Sequence, residues 1–276
     1  MHDRSELIHR DHSGFCHCTA TRFAQNGTIA VSPSDFQRCE RMAKTRGPSV
    51  PTGFPIRGWF AESRPDFRRE FLALVRPEFH VAGSVIYQEN DVGQDVFGIS
   101  SGVVILQGKF THPDAMLLHM LRPGEWFGTV PVLLGRSRRV AAVARTDVNL
   151  LRVPGDELRA LLRRRPEWFT ELARDAIHHM DLAMQIAVDL LIRDASARCA
   201  AVLLRLAGRR WTAVPDSDLP SEIPASQGEL AMLCNVSRNT FSRVVKEFSS
   251  RRLVTLNYRS LTVNDPSRLR VVADAG

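Results

Sequence analysis

The feature that most constrains the fold of this chain is a long stretch without helix-breaking residues. Residues 167–207 contain neither glycine nor proline, so this segment predicts a long α-helix. Its mainly apolar residues recur at helical spacing and form two stripes. The first stripe consists of Phe169, Leu172, Ala176, His179, Ala183, Ile186 and Leu190. The second stripe consists of Ala173, Ile177, Met180, Met184, Ala187 and Leu191.

A helix that is apolar on two sides needs two surfaces to bury them. The simplest arrangement packs one stripe against the rest of the chain and the other against the same helix of a second copy, which gives a two-fold symmetric dimer. The alternative is a helix that is buried on both sides within one chain. The predicted dimer contacts are Ile177, Met180, Met184, Ala187 and Leu191.

Ahead of this helix, the chain consists of short apolar runs separated by glycines. The runs lie at 85–87, 96–99, 103–106, 116–121, 140–143 and 150–153. Many short strands between turn residues are typical of a β-sandwich or jelly roll. Helical patterns at 66–76 and 156–164 flank this region.

The C-terminal part contains two short helix signals joined by a turn. After a predicted loop at 215–224, Ser226 and Glu229 have the spacing of a capping box and predict a helix that begins at Ser226. The turn at 234–236 is followed by Ser237, which predicts the start of a second helix. Two such helices form a helix-turn-helix, and the apolar runs at 253–256 and 261–263 predict a hairpin wing.

The second of these helices carries the chemistry of a DNA-reading element. Residues 238–252 contain five basic residues and a single acid, Glu247. Arginine and asparagine pair bidentately with guanine and adenine in the major groove, and the alternative is a solvated basic helix face. The formal net charge of +7 also suits a polyanionic partner. The predicted base-reading residues are Arg238, Asn239, Ser242 and Arg243.

The order of these parts resembles the CRP/FNR (cyclic AMP receptor protein / FNR) superfamily of bacterial transcription regulators, over about residues 60–265. The most specific segments are SQGELAMLCNVSRNTFSRVVKEF (226–248) and GEWFGTVPVLLGRSRRVAAV (124–143), the second being similar to the family's phosphate-binding cassette. The resemblance implies an α+β fold with an N-terminal β-jelly roll like that of cyclic-nucleotide-binding domains, a long dimerisation helix and a C-terminal winged helix-turn-helix. The expected domains are a poorly ordered extension (1–55), the roll (56–165), the dimerisation helix (166–193) and the DNA-binding domain (194–276).

The same resemblance implies a homodimeric transcription regulator rather than an enzyme. The expected partners are double-stranded DNA with a two-fold symmetric operator, a second copy of the chain and RNA polymerase, with Ser226 and Gln227 near DNA phosphates. No apolar run is long enough to span a bilayer, and the first residues are too charged for a signal peptide. We therefore expect a cytoplasmic protein without membrane contact.

The cassette departs from the pattern of cyclic-nucleotide binders. By resemblance, Thr129 replaces the glutamate that holds the ribose, Arg139-Val140 replaces the arginine-serine pair that holds the phosphate, and Ala183 and Met184 replace the polar residues that contact adenine. We therefore expect that cyclic AMP is not the effector. The alternative is a roll that binds another small anion through Arg139, helped by Arg136 and Arg138, in a pocket shaped by Trp126 and Met184. A purely structural roll is a further alternative.

The histidines and cysteines are the residues that could ligate a cofactor. In the N-terminal segment, which also contains His2, His9 and His17, the candidates for a metal- or redox-sensing site are His12, Cys16 and Cys18, and the alternative is a polar tail. The spacing of the first cysteines does not suit an iron–sulfur cluster, so none is expected. His119 is either a haem ligand or a hydrogen-bonded core or surface residue. Cys234 is either an oxidisable thiol near DNA or an inert core thiol, and we expect no cofactor.

Overall fold

The computed structural model describes residues 54–109, 116–210 and 221–276, together with the backbone of two paired strands, β1 (Arg22–Ala24) and β2 (Gly27–Ile29). The rest of the predicted extension lies outside the described residues, including the metal candidates His12, Cys16 and Cys18. The β1–β2 pairing was not predicted.

Eight strands form the predicted β-roll. They are β3 (Arg76–His80), β4 (Val85–Tyr87), β5 (Val96–Ser101), β6 (Val104–Gly108), β7 (Met116–Leu121), β8 (Trp126–Phe127), β9 (Ala141–Ala144) and β10 (Val148–Val153). They pair antiparallel in two four-stranded sheets, with the orders β3-β10-β5-β8 and β4-β9-β6-β7. The sequence patterns did not predict β3, which contains charged residues and a proline, or β8, which has only two residues.

Helices surround the roll and build the C-terminal part. They are α1 (Gly58–Glu62), α2 (Pro65–Ala73), α3 (Thr129–Leu134), α4 (Gly155–Arg164), α5 (Phe169–Leu191), α6 (Ala195–Leu206), α7 (Gln227–Leu233), α8 (Arg238–Ser250) and α9 (Pro266–Ala273). The combination of a β-roll, a long helix and a helix-turn-helix confirms the predicted α+β class. The sequence patterns did not predict α1, α3 or α9.

The long helix is shorter than its sequence pattern indicated. Pro166–Trp168 form a 3-10 turn, and α5 then runs from Phe169 to Leu191. The chain leaves the helix at Ile192, whose backbone is extended, and the Asp194 carboxylate accepts a hydrogen bond of 2.6 Å from the Ala197 amide at the start of α6. This N-cap separates α5 from α6 without any glycine or proline.

The two helices that precede the roll are fixed by an aromatic cluster on its outer face. Phe60, Phe71 and Trp126 lie in mutual contact, with ring centroids 4.9 to 5.5 Å apart. Trp126 belongs to β8, and its strand neighbour Phe127 points to the other side, into the roll. This opposite placement follows from the alternation of side chains along a strand.

The C-terminal part combines α6 to α9 with a three-stranded sheet. Strands β12 (Val254–Asn257) and β13 (Ser260–Val263) form the predicted hairpin wing, and β11 (Ser221–Ile223) pairs with β13. The prediction of a loop over 215–224 is therefore wrong at 221–223, where backbone pairing with β13 outweighs the flanking prolines. Residues 211–220 lie outside the described part.

The C-terminal part packs directly on the roll. Roll residues Val103, Ile105, Leu117 and Met120 share one hydrophobic core with residues of α6 and α7. The side chains of α6 that enter this core include Cys199, Val202, Leu203 and Leu206. Roll and C-terminal part are therefore joined by a continuous apolar core.

A buried polar network crosses the same junction. Asp189, near the end of α5, accepts hydrogen bonds from Arg205 Nε at 2.9 Å and from Arg210 Nε at 3.4 Å. Arg205 Nη1 lies 3.3 Å from His119 Nδ1 in β7, and arginine can only donate, so the imidazole accepts. His119 is thus a hydrogen-bonded core residue. Burial, and then the Arg205 charge, lower the pKa of His119 well below its ordinary value.

The depressed pKa of His119 predicts a specific dependence of stability on pH. The unfolded chain binds a proton at this residue below about pH 6.5, whereas the folded chain does not. Its stabilising contribution is complete above that pH and is lost as the pH falls towards the lower pKa of the folded state. The variant His119→Gln keeps a neutral acceptor for Arg205 but does not titrate. Between pH 7 and pH 5, its free energy of unfolding in urea should therefore fall by about 1–2 kcal/mol less than that of wild type.

The comparison of the two proteins isolates His119 from groups that titrate with the opposite sign. Asp175 is such a group, because burial raises the pKa of its carboxyl. Parallel pH profiles for wild type and His119→Gln would show that His119 binds its proton equally in the folded and unfolded states.

Candidate DNA-binding surface and effector roll

The helix-turn-helix is built on two capped helix starts. The Ser226 Oγ accepts from the Glu229 amide at 3.3 Å, and the Glu229 carboxylate accepts from the Ser226 amide at 2.8 Å, which confirms the predicted capping box. Ser237 caps α8 by accepting from the Thr240 amide at 3.1 Å. Between the two helices, Asn235 adopts a positive φ of 50°, a conformation that asparagine tolerates better than most residues.

The second helix, α8, separates a buried face from an exposed basic face. Its buried residues are Phe241, Val244, Val245 and Phe248. Of the four predicted base-reading residues, Arg238, Asn239 and Arg243 are exposed on the first two turns, and Ser242 is partly buried beside them. Within the described part of the chain, Arg238 and Arg243 form no ion pair, so their guanidinium groups remain available to an anion.

The two residues predicted to lie near DNA phosphates begin the first helix. Gln227 is the first residue of α7 and is partly buried. The Ser226 hydroxyl is already engaged in the capping box, because its oxygen also lies 2.8 Å from Glu229 Oε2. Both residues lie at the N-terminal end of α7, where unpaired amides and the helix dipole favour an anion.

The roll contains one buried arginine, and it is not the predicted one. Arg139 is exposed, whereas Arg138 is 3% exposed. The side chain of Arg139 therefore does not lie inside the roll, and the buried arginine is its neighbour Arg138. Strand alternation does not extend to Arg138, because this residue precedes β9, whose Ala142 and Ala144 face the roll interior.

The surroundings of Arg138 are supplied by the chain itself. Its Nη1 donates to the Gly128 carbonyl at 2.9 Å and its Nη2 donates to the Asp95 carbonyl at 2.6 Å. The guanidinium lies 4.2 Å from the centre of the Tyr87 ring, a cation–π contact. Burial lowers the pKa of Arg138 and raises the pKa of Tyr87 to about 12. Arg138 is therefore held by carbonyls and an aromatic face, and it forms no ion pair with any of the described residues.

Other interior residues of the roll are aromatic as well. The rings of Phe97 and Phe127 stack with centroids 5.4 Å apart, and both lie about 6 Å from Tyr87. Gly128 has a φ of 89°, and a Cβ atom there would lie 2.6 Å from Arg138 Nη1, so only glycine fits. Trp126, which was predicted to shape an effector pocket, instead packs on the outer face of the roll.

The cassette is tied to the long helix by a hydrogen bond that the sequence analysis missed. Thr129 donates its hydroxyl hydrogen to the Asp175 carboxylate of α5, and both side chains are buried. Burial raises the pKa of Asp175, opposed by the nearby His179 and by the hydrogen bond from Thr129. Asp175 lies outside both apolar stripes of the helix, so only the fold reveals its partner.

The second apolar stripe of α5 lies on the surface of the chain. Its exposed members are Ile177, Met180, Met184, Ala187 and Leu191, with Ala183 and Val188 beside them. By contrast, Leu172 of the first stripe is completely buried. Ala183 and Met184, which the resemblance placed at effector-contact positions, therefore lie on the same exposed face as the predicted dimer contacts.

Two cysteines are described, and both are buried free thiols. Cys234, in the turn of the helix-turn-helix, has a pKa raised well above its ordinary value by a hydrogen bond with Cys199 and by burial. A thiol of this kind reacts slowly with oxidants, which favours the inert interpretation. Within residues 54–109, 116–210 and 221–276, no group of three or more potential metal ligands is present. None of the described helices has the length and hydrophobicity required to span a bilayer.

Comparison with known protein families identifies both halves of the chain. Residues 77–165 match the cyclic nucleotide-binding domain, and residues 197–272 match the Crp-like helix-turn-helix domain. The cyclic AMP receptor protein of Thermus thermophilus is 29% identical over 203 residues, which is 73% of this chain and 90% of that protein. A CRP-like cAMP-activated global transcriptional regulator of Mycobacterium tuberculosis is 26% identical over 212 residues, 77% of this chain and 94% of that protein.

A solved structure supports the same fold. FixK2 from Bradyrhizobium japonicum superimposes with a TM-score of 0.60 over 72% of this chain and 96% of that chain, at 18% identity. The two matched families, the curated relatives and this architecture agree with one another. The chain therefore belongs to the CRP/FNR superfamily of transcription regulators and carries its helix-turn-helix DNA-binding domain.

Proposed function

We propose that this regulator is a homodimer that reads a two-fold symmetric operator and is not controlled by cyclic AMP. The observation that carries the proposal is the interior of the roll, where the chain's own groups surround the only buried arginine of the described roll, Arg138. RNA polymerase is a further expected partner, by family resemblance, of a cytoplasmic protein of this kind.

The exposed stripe of α5 supports the homodimer. Met184 is 60% exposed and Leu191 is 77% exposed in the single chain, and apolar residues at helical spacing along a long helix form a seam that a second copy can bury. A dimer also places two recognition helices at a fixed separation, which a symmetric operator requires.

The dimer is tested by changing Met180 and Met184 together to glutamate. Four carboxylates facing one another across the seam should separate the subunits, so sedimentation should show monomers and operator binding should weaken. A matched control adds the same two charges at exposed apolar positions elsewhere, Val92→Glu with Val271→Glu, and should remain dimeric. A dimeric Met180/Met184 variant would place the interface elsewhere.

The contacts inside the roll support the absence of cyclic AMP control. Two relatives are named for cyclic AMP, but here Thr129 stands at the position of the ribose-binding glutamate, by resemblance, and its hydroxyl is bonded to Asp175. Arg138 donates to two backbone carbonyls and stacks on Tyr87. A cyclic phosphate would have to displace these contacts while lacking its usual ribose partner.

Calorimetry with cyclic AMP tests this proposal. Loss of a ribose partner and an adenine partner should each cost about 1–3 kcal/mol, the penalty for an unmade hydrogen bond. Together they weaken binding by about a hundredfold or more. We expect no micromolar binding and no change in operator affinity, whereas micromolar binding with a matching rise in DNA affinity would contradict the proposal.

A second candidate function is a response to another small anion, bound by Arg138 rather than Arg139. It is favoured by one observation, since the buried Arg138 Nε has no hydrogen-bond partner among the described residues. Thermal melts against organic acids and cyclic nucleotides discriminate the two candidates: a ligand that raises the melting temperature of wild type but not of Arg138→Gln would favour the second.

The exposed face of α8 supports a specific preference for bases. By resemblance, Asn239 occupies a reading position that is usually glutamate, and asparagine both donates and accepts, which matches N6 and N7 of adenine. Arg243 is exposed one turn further along and is suited to guanine. The expected half-site therefore has a guanine facing Arg243 and an adenine at the neighbouring base pair.

Binding-site selection on wild type and Asn239→Glu tests this assignment. The variant should change the preference at one base pair only, by about 1–3 kcal/mol, because glutamate accepts hydrogen bonds but cannot donate them. The salt dependence should change little, since no phosphate contact is altered. Ser250→Glu adds the same charge at the far end of the helix and should leave the motif unchanged. Identical motifs from wild type and Asn239→Glu would show that Asn239 does not touch a base.

A further inference from the structure

We propose that Arg122 and Arg145 of the roll are positioning residues for DNA binding, because they hold the helix-turn-helix in one orientation relative to the roll. The proposal rests on the DNA-binding function proposed above. The two arginines and their partners in the C-terminal part are called the latch.

The first half of the latch is Arg122, which follows β7. Its Nε donates to the Leu206 carbonyl at 2.6 Å, and its Nη2 donates to the Glu222 carbonyl at 2.9 Å. These carbonyls belong to the end of α6 and to β11, so one guanidinium joins two elements of the C-terminal part. The backbone amide of Arg122 is itself fixed by a hydrogen bond to the Glu125 carboxylate.

The second half is Arg145, which follows β9. Its Nε donates to the Pro224 carbonyl at 2.6 Å, and its Nη2 forms an ion pair with Glu229 Oε2 at 2.8 Å. The same carboxylate closes the capping box of α7. Arg145 therefore contacts the helix start that carries both predicted phosphate-contacting residues, and its own amide donates to the Val103 carbonyl at 2.8 Å.

The contacts of the latch are made with α6, β11 and the start of α7, and none of them is made with α8. Arg238, Asn239 and Arg243 remain exposed while α6 and α7 pack on the roll. The contacts therefore do not cover the reading residues. A fixed orientation lowers the entropy lost when both subunits of a dimer engage the operator together, so the latch favours DNA binding.

The latch variant carries Arg122→Ala and Arg145→Ala together. Its operator binding is compared with that of a control variant that also loses two positive charges from the same domain. The control is Arg163→Ala with Arg164→Ala, whose side chains are exposed in the last turn of α4. By fluorescence anisotropy on the selected operator, the latch variant should bind about tenfold or more weakly than the control, since two multidentate arginines are lost. Both variants should remain dimeric by sedimentation.

A second measurement, hydrogen exchange, distinguishes the loss of a fixed domain orientation from the loss of positive charge. Hydrogen exchange at residues 192–194, between α5 and α6, should accelerate in the latch variant and not in the control. Arg145→Lys, which keeps the charge but cannot bond both Pro224 and Glu229 in the same way, should be intermediate in affinity. If the double variant does not fold, the single Arg145→Ala variant carries the same comparison.

Two outcomes would overturn the proposal: a latch variant that binds the operator as tightly as the control, or one that binds more tightly, which would make the latch inhibitory. A wild-type protein that selects no operator would instead contradict the proposed function. The exchange comparison still tests the latch in that case, because it requires no DNA, and unchanged exchange would overturn the claim that the arginines fix the orientation.

Discussion

The architecture depends on a carboxylate that is completely buried where three parts of the chain meet. Asp189 lies near the end of the long helix, Arg205 belongs to the following helix, and His119 lies in the roll. A buried charge that loses its partner destabilises a fold by about 3–5 kcal/mol. The bend between α5 and α6 is thereby fixed against the roll. One face of the long helix packs against the rest of the chain, and the opposite apolar face remains exposed.

In both the roll and the C-terminal part, the side chains that this account connects with DNA binding are held by contacts within the same chain. In the roll, backbone carbonyls and Tyr87 hold Arg138, and Asp175 holds Thr129. At the junction, a shared apolar core and the latch hold the helix-turn-helix. Both sets of contacts are internal to the protein. DNA binding in this account requires a second copy of the chain and no small molecule.

The sequence predicted the features that depend on local chemistry. The Ser226–Glu229 capping box, the Ser237 cap and the buried face of α8 all follow from residues within a few positions of one another. Features that depend on distant partners were missed. Strand β11 exists only because β13 lies beside it, and Asp175 was not singled out because Thr129 is far away in the sequence. Arg139 was expected inside the roll, but it is exposed and its neighbour Arg138 is buried. Both residues precede β9, where no regular strand alternation determines the direction of a side chain.

The most direct test of the account is the operator affinity of protein freed from every small molecule. Purified protein is unfolded in denaturant, dialysed and refolded, and its dissociation constant for the selected operator is measured beside that of the untreated preparation. The account predicts the same dissociation constant for both, because the contacts that hold the roll and the helix-turn-helix come from the chain itself. A refolded protein that binds the operator only after the small-molecule fraction of a cell extract is added back would contradict it.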